Sequence, residues 1–213
     1  MGVLKAGETL IAHESDITSG ELKINDAYDL FLAKLTSGNY RLVVFMKLQF
    51  FFEDSGTHKW SPAGKTAFVN KWRTAVKTKW GNRVIKNLSS GKKVDLDFRF
   101  DTQIGGWMFD HWEITVKKIR PGGFNQSYVN PSWGNVSLDS EDLTLVRKGH
   151  GQRQRGVVHE FGHMLGINDE YIKTSPHKTD FRSIMNRGET VLNRHNAPYI
   201  KWLDKKLKEN GIK

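Results

Sequence analysis

The sequence contains no cysteine among its 213 residues. This absence excludes disulfide bonds, thiolate metal ligands and cysteine nucleophiles. It does not exclude export, because a domain of this size folds without covalent cross-links. The sequence also lacks a run of about 20 apolar residues, so it predicts no membrane-spanning helix. Residues 1–10 carry one lysine and no apolar run, and we therefore expect no signal peptide.

Acidic residues are outnumbered by basic ones, since 33 Lys and Arg against 23 Asp and Glu give a net charge of +10. The basic residues are dispersed, with local runs at 71–79, 147–155 and 201–208. Such runs are typical of solvated faces, and attraction to an anionic surface such as a bacterial envelope or DNA is the alternative. No nucleic-acid-binding motif occurs, so we expect no specific nucleic-acid partner.

The most informative stretch holds His159, Glu160 and His163 in the pattern H-E-x-x-H. On a helix, positions i and i+4 share a face, so both imidazoles can reach one metal ion. Two imidazoles with an open coordination position favour zinc over calcium or magnesium, which prefer oxygen ligands. Glu160 follows His159 on the helix, where it can take a proton from a water activated by the metal.

The residues after this pattern add a third ligand. Gly166 comes three residues after the second histidine, and Asp169 comes three residues after that. Glycine commonly ends a helix in the left-handed conformation, so the chain can turn back toward the metal. We therefore expect a carboxylate oxygen of Asp169 to be the third zinc ligand. Glu170, His177 and Asp180 are alternative third ligands.

The extended pattern H-E-x-x-H-x-x-G-x-x-D resembles the signature of the metzincin zinc peptidases, which a methionine turn follows. Residues 183–186 resemble that turn, with Met185 as the apolar floor beneath the metal. The aspartate resembles the snapalysin-like branch more than the matrixins. The tyrosine that some branches carry two residues after the turn methionine is here Arg187. The resemblance implies an endopeptidase with one catalytic zinc ion and Glu160 as general base.

Hydrophobic periodicity predicts the individual strands and helices, and the resemblance to the metzincins implies that they form an α+β fold of the α/β/α-like kind. The expected architecture is a twisted mixed sheet with an antiparallel edge strand, a crossover helix, an active-site helix and a small C-terminal subdomain. We expect the whole chain, 1–213, to be one metallopeptidase domain. About 1–166 would form the N-terminal subdomain, and about 167–213 the C-terminal subdomain with the methionine turn and a terminal helix. Helices are predicted over 27–35, from 62 to near 81, over about 152–165 and from about 197 to 211; strands are predicted over 9–12, 41–52, 94–100 and 111–119.

The resemblance also implies where a substrate binds. Residues 127–130 precede Pro131, which confines this stretch to an edge strand or its end. By resemblance, the edge strand lies antiparallel to a protein or peptide substrate, which adds to the sheet by β-augmentation. The residues that would line the cleft are Ser127, Tyr128, Val129 and Asn130. A plain exposed edge is the alternative.

Two further expectations concern the surroundings of the site. His195 precedes the last helix and either contacts substrate or the oxyanion, or has a packing or capping role. Family relatives often bind structural calcium near the edge strand. Asp139, Glu141 and Asp142 are the residues that could do so here, although no ligand spacing in the sequence supports a calcium site.

The lack of a signal peptide and of a prodomain cysteine, together with the basic charge, favours a secreted bacterial effector or toxin delivered by a signal-peptide-independent export system. A cognate inhibitor or immunity protein would then be a partner. A cytoplasmic protein or an excised domain is the alternative location. Two other functions stay open, a peptidoglycan peptide hydrolase and a zinc-binding interaction module with a degenerate peptidase site. The intact Glu160 argues against the module.

Overall fold

The computed structural model describes residues 2–107 and 110–213. Its strands are β1 (Glu8–Glu14), β2 (Asp29–Leu35), β3 (Tyr40–Glu53), β4 (Arg83–Asn87), β5 (Lys93–Ile104), β6 (Trp112–Lys117), β7 (Tyr128–Asn130), β8 (Asn135–Asp139), β9 (Val146–Gly149) and β10 (Gln152–Gln154). Its helices are α1 (Pro62–Trp80), α2 (Gly156–Met164) and α3 (Ala197–Glu209), with a 3₁₀ helix over Asn193–Asn196 before α3. The fold is α+β, as predicted.

Strand β3 is the centre of an eight-stranded mixed sheet. On one side it pairs in parallel with β5, and on the other it pairs first with the antiparallel β2 and then with the parallel β6. Strand β8 continues the sheet in parallel to β6, and β7 runs antiparallel to β8 at the edge. The mixed sheet with an antiparallel edge strand is therefore confirmed.

Helix α1 lies between the parallel strands β3 and β5 in the sequence and packs on the sheet. Ser61 begins it, because its side chain accepts a hydrogen bond from the backbone N–H of Gly64, and Pro62 occupies the first turn. Trp72 and Trp80 lie on the buried face of the helix. Trp72 contacts Phe50 of β3 edge to face, at 5.6 Å between ring centroids. Both tryptophans are therefore core residues.

Two element predictions were wrong. Residues 27–35 were expected to form a helix but contain β2, whose Leu30 and Leu32 are fully buried on one face. Pairing with β3 decides this, because strand preference depends on neighbouring strands more than on local spacing. The helix expected from about residue 152 begins at Gly156, since Gln152–Gln154 pairs with β9 as a separate antiparallel hairpin.

The N-terminal segment before β2 joins the two ends of the chain. Ser19 Oγ donates to the carbonyl oxygen of Leu165 at the end of α2, and the hydroxyl of Tyr28 donates to the carbonyl oxygen of Pro198 in α3. The hydroxyls of Ser19 and Tyr28 are also in hydrogen-bonding contact with each other, so their two protons alternate among these three contacts. None of the helices within the described ranges is long and apolar enough to cross a membrane.

Candidate metal centre

Helix α2 is held by its apolar side. Val157, Val158 and Phe161 are completely buried. Phe161 packs against the rings of Trp72 and Trp80, and Trp80 Nε1 donates to the carbonyl oxygen of Val158 at 2.9 Å. These contacts fix the rotation of the helix, so the remaining face presents His159, Glu160 and His163 to a cleft.

The chain reverses directly after α2. Gly166 has a φ of +83°, and a Cβ atom at this position would lie 2.5 Å from the carbonyl oxygen of Ser19. Only glycine combines this left-handed backbone with so close an approach. The reversal brings Asp169 back to the helix, where its Oδ1 lies 3.1 Å from Nε2 of His159 and 3.3 Å from Nε2 of His163.

Backbone carbonyl groups determine the protonation of both imidazoles. Nδ1 of His159 lies 2.8 Å from the carbonyl oxygen of Ile184, and Nδ1 of His163 lies 2.8 Å from that of Ile167. A carbonyl oxygen only accepts, so each Nδ1 carries the proton and donates it. In the neutral imidazoles, each Nε2 is therefore an unprotonated lone pair.

Three lone pairs thus meet with no proton between them. Among the residues that the structure describes, no hydrogen-bond donor reaches the buried Asp169 Oδ1, although two imidazole nitrogens lie within 3.3 Å of it. A cation resolves this arrangement. Ligands of a tetrahedral zinc ion, with bonds of about 2.0–2.1 Å, lie roughly 3.3 Å from one another, which the observed separations match. The donor set of two imidazoles and one carboxylate also suits zinc.

The pKa shifts in this group express the same attraction for positive charge. Burial alone would lower the pKa of His163, but the adjacent Asp169 raises it above its ordinary value. Burial alone would raise the pKa of Asp169, yet the two histidines hold it far below its usual range. A carboxylate that favours a proton on the neighbouring imidazole favours a metal cation at the same place for the same electrostatic reason.

The predicted methionine turn lies under the helix. Met185 is completely buried, and a Cβ atom at Gly162 of α2 would lie 2.1 Å from its Sδ atom. The preceding residue, Ile184, provides the carbonyl oxygen that holds His159. Met185 in turn accepts a hydrogen bond from the backbone N–H of Glu170, at 2.8 Å. The turn therefore supports both the helix and the loop that carries Asp169.

Glu160 is the carboxyl group that lies beside the two histidines on the cleft side of α2. Its carboxyl group is buried beside both histidines, and burial raises its pKa above the ordinary value. The positive charge of Lys148 opposes this shift. On the facing loop, the Tyr171 ring stacks near that of His159 and its hydroxyl interacts with Asp169, which together with burial raises the tyrosine pKa. The site therefore combines a carboxyl group of raised pKa with a neutral tyrosine hydroxyl.

The cleft in front of these residues has a volume of about 590 Å³. One of its walls is the edge strand β7, with Ser127, Tyr128 and Val129 among the lining residues. Asn130 belongs to the same strand but does not line this cleft. Tyr128 is 56% exposed, so the outer edge of β7 is open to a further strand.

The alternative ligands are not part of the metal group. Glu170 pairs with Arg194 through both carboxylate oxygens, at 2.6 and 2.8 Å, and Asp180 accepts from the same guanidinium at 2.9 Å. His195 is 1% exposed, and its Nε2 lies 3.1 Å from Glu170. His177 is likewise absent from the cleft lining. The structure thus gives His195 the packing role rather than contact with substrate.

The residues considered for calcium form hydrogen bonds within the protein. Asp139 accepts from the backbone N–H groups of Asn125 and Glu141, and Asp142 accepts from Ser127 Oγ and the backbone N–H of Asp139. Burial raises the pKa of Asp142 to about 6. Within the described ranges, no metal-ligating group contains these carboxylates. The hydrogen bonds of Asp142 to Ser127 and to the backbone N–H of Val157 connect β7 with the start of α2.

A second histidine–carboxylate group differs from the first in its tautomer. His111 Nδ1 accepts the backbone N–H of Lys47, so the neutral ring carries its proton on Nε2. That nitrogen faces Asp29 Oδ1 at 3.3 Å and Asp16 Oδ1 at 3.8 Å. A protonated Nε2 cannot be a metal ligand. The imidazole instead fills the gap in the pairing of β3 between the start of β2 and the start of β6.

Several residues that line the cleft were not predicted from the sequence. Tyr171, Lys148 and Gln154 all line the cleft, and no motif contains them. Tyr171 could have been found as the aromatic residue two positions after Asp169, at a loop that must return to the metal. The signal for Lys148 was only its membership in a basic run.

Comparison with known proteins adds no assignment: no protein-family model matches the chain, and a search of curated proteins finds no significant relative.

Proposed function

We propose that the chain is a zinc-dependent endopeptidase that resembles the metzincins. One observation carries the proposal: the unprotonated Nε2 atoms of His159 and His163 converge with the unpartnered Oδ1 of Asp169. The buried carboxyl group of Glu160 lies beside them, in a cleft whose wall is an open strand edge. A zinc-binding module would need the three ligands but not the adjacent base.

The ligand set would leave one coordination position open for water or substrate. A zinc ion held there supplies a Lewis acid that polarises a carbonyl group and lowers the pKa of water. Glu160 takes the proton of the attacking water and delivers it to the leaving amine. Its burial helps, because a raised pKa brings a carboxylate closer to the working pH and makes it a stronger base.

Substrate orientation comes from the sheet. Among the described residues, strand β7 pairs with β8 on one side only, so its other side offers backbone donors and acceptors to an extended peptide. Such a peptide passes in front of Glu160. The hydroxyl of Tyr171, which lines the same cleft, becomes a donor for the oxyanion at the attacked carbonyl once it releases Asp169. Tyr171 would then take the role that a tyrosine at the position of Arg187 has in some metzincin branches.

The test combines metal content with cleavage of an unfolded protein such as casein. Wild type, Glu160→Gln and the exposed control Glu53→Gln would be compared at equal concentration. We expect one zinc ion per chain in all three proteins. Cleavage should be lost only in Glu160→Gln, by at least about 10³-fold, because the variant removes the general base. Absence of zinc from wild type would overturn the proposal.

Zinc without casein cleavage would call for peptide libraries and cell-wall material as substrates. Hydrolysis of stem peptides alone would replace the endopeptidase with a peptidoglycan hydrolase. Binding of zinc with no hydrolysis of any of these substrates would favour an interaction module.

A further inference from the structure

The end of the cleft near the start of α2 carries two cations. Lys148 of β9 and Arg187, two residues after Met185, both line the cleft with Glu160 and His159. Arg187 Nη1 donates to the carbonyl oxygen of Lys148 at 3.3 Å, so the guanidinium is held against the β9–β10 hairpin. We propose, on the basis of the proposed function, that these two side chains form a subsite for a carboxylate of the substrate, on the leaving-group side of the scissile bond.

The charge of Arg187 is not paired with a carboxylate. In this respect it differs from Arg99, Arg155 and Arg194, which pair with Glu8, Glu189 and Glu170, and resembles the half-buried Arg73 and Arg83, which donate to neutral groups. In the ranges that the structure describes, Arg187 and Lys148 have no carboxylate within 4.0 Å, and Lys148 acts on Glu160 of the same cleft only across a longer distance. Two partly buried cations that line a cleft and form no ion pair attract an anion to that end of it.

Local geometry keeps the guanidinium in place. Gly149 has a φ of +95°, and a Cβ atom there would lie 3.1 Å from Arg187 Nη1, so glycine leaves room for the side chain. The guanidinium carbon lies 5.9 Å from the centre of the Phe181 ring, and His150 stacks on that ring at 3.9 Å. The hairpin and the methionine-turn loop therefore form one wall.

The neighbouring Asn186 offers a further polar contact. It lines the cleft, is 3% exposed, and donates from Nδ2 to the carbonyl oxygen of Lys178 at 3.1 Å. Its Oδ1 is buried and has no hydrogen-bond partner. A backbone N–H of the substrate would satisfy this acceptor, next to the cations that would hold the carboxylate.

The contacts of β7 give the direction. Ser127, just before β7, donates to Asp142, whose carbonyl oxygen accepts the N–H of Val157 at the start of α2. The start of β7 therefore lies at the same end of the cleft as the β9–β10 hairpin, which directly precedes α2. A substrate antiparallel to β7 places its C-terminal half, which contains the leaving amine, at this end.

The far end of the groove is acidic on balance. An adjoining cavity of about 710 Å³ shares Leu22 and Pro131 with the cleft, and its charged lining consists of Asp26, Asp110 and Glu113 together with one cation, Lys23. An acidic residue of the substrate is repelled there and attracted by Lys148 and Arg187. The two ends together favour a single direction of binding.

The experiment measures kcat/KM for matched peptides at pH 7.5 with the full chain. Each peptide carries either Glu or Gln at the first two positions after the scissile bond. Each is made in two forms, with a free or an amidated C-terminus that lies farther along the peptide. We expect Glu to be preferred over Gln by about tenfold, the effect of one charge-assisted pair. An effect of the C-terminus alone would assign the carboxylate to the chain end rather than to a side chain.

The variant Lys148→Met/Arg187→Gln should reduce the Glu-to-Gln ratio to about one, and Lys148→Glu/Arg187→Glu should invert it. The control Lys71→Gln/Lys201→Gln removes the same charge from exposed positions on α1 and α3 and should keep the ratio. The ratio of kcat/KM for the Glu and Gln peptides does not depend on the basicity of Glu160, because a change in basicity affects the cleavage of both peptides equally.

Equal cleavage of the Glu and Gln peptides by wild type, or a preference that persists in the Met/Gln variant, would overturn the subsite and leave the peptidase standing. A preference for acidic residues before the scissile bond would show that the subsite does not lie on the leaving-group side. If no peptide is cleaved, the proposed function fails, and binding of the fluorescent Glu and Gln peptides to Glu160→Gln decides the subsite. Equal affinity there would overturn it.

Discussion

Nδ1 of His159 donates to the carbonyl oxygen of Ile184 at 2.8 Å, and Ile184 directly precedes Met185. The helix that carries two ligands and the loop that forms the floor are therefore one unit. The hydrogen bond selects the tautomer whose Nε2 can bind metal, so the loop controls ligand chemistry as well as packing. The predictions below separate these contributions.

Asp169→Asn should lower zinc affinity by at least about 100-fold, because the amide keeps the shape of the carboxylate but removes the charge that completes the ligand set. Competition with a chelating dye at pH 7.5 measures this. Asp101→Asn, at an exposed position of β5, is the matched control and should bind zinc like wild type. Unchanged affinity in Asp169→Asn would show that another residue completes the site.

Arg194→Lys tests the support of the ligand loop. Arg194 holds the residue next to Asp169 through a bidentate pair with Glu170, and lysine cannot reproduce that geometry. We expect zinc affinity to fall about tenfold, as for other groups that orient ligands. Arg182→Lys, on an exposed arginine with a single contact to Asp180, should retain affinity. A lower melting temperature without loss of zinc affinity would leave Arg194 only a stabilising role.

Gly162→Ala should destabilise the chain by about 2 kcal/mol or more, because the new methyl group overlaps Met185 Sδ and approaches Trp80. Urea unfolding of the single variants and of Gly162→Ala/Met185→Ala forms a double-mutant cycle. The alanine at residue 162 should cost much less free energy when Met185 has been shortened. Additive effects would show that the helix and the methionine turn are not in direct steric contact.

Glu8→Gln should destabilise the protein by about 2 kcal/mol at pH 7, the order expected for a buried carboxylate hydrogen-bonded to arginine. Hydrogen bonds from Arg99, opposed by burial and aided by Arg41, lower the pKa of Glu8 from 4.5 to about 2. The folded state thus prefers the ionised form. This stabilisation is fully present above pH 4.5 and is lost as pH falls toward 2.

Urea unfolding of wild type and Glu8→Gln across pH 2–7 checks that dependence. The difference in unfolding free energy should shrink steadily below pH 4.5. Glu53→Gln, at the exposed end of β3, should show no such narrowing. A difference that stays constant down to pH 2 would mean that Glu8 contributes through packing rather than charge.

Local sequence rules predicted the elements whose partners are close in sequence. The i, i+4 spacing of His159 and His163, the left-handed Gly166 and the Ser61–Pro62 helix start each depend on a few neighbouring residues. The structure shows each of them as local geometry requires. The alternating pattern of β3 was equally informative, because the alternate residues from Leu42 to Phe50 lie on one fully buried face of the strand.

Errors arose where distant partners decide the structure. Residues 27–35 are compatible with helical spacing, and only pairing with β3 makes them a strand. His195 was a candidate for the cleft because of its sequence position, yet Glu170 and Ser183 hold it in the interior. Tyr171 and Lys148 belong to no motif, since their role depends on a loop and a hairpin whose directions the sequence does not specify.

The hydrogen bond between Ser19 and Leu165 joins residues that are 146 positions apart in the chain. A ribosome therefore makes Ser19 long before Leu165, and α3, which Tyr28 also contacts, comes later still. The segment that holds the C-terminal end of α2 is thus already present when the helix is made. The side chains of His159 and His163 converge with Asp169 only when the reversal after the helix has also been made.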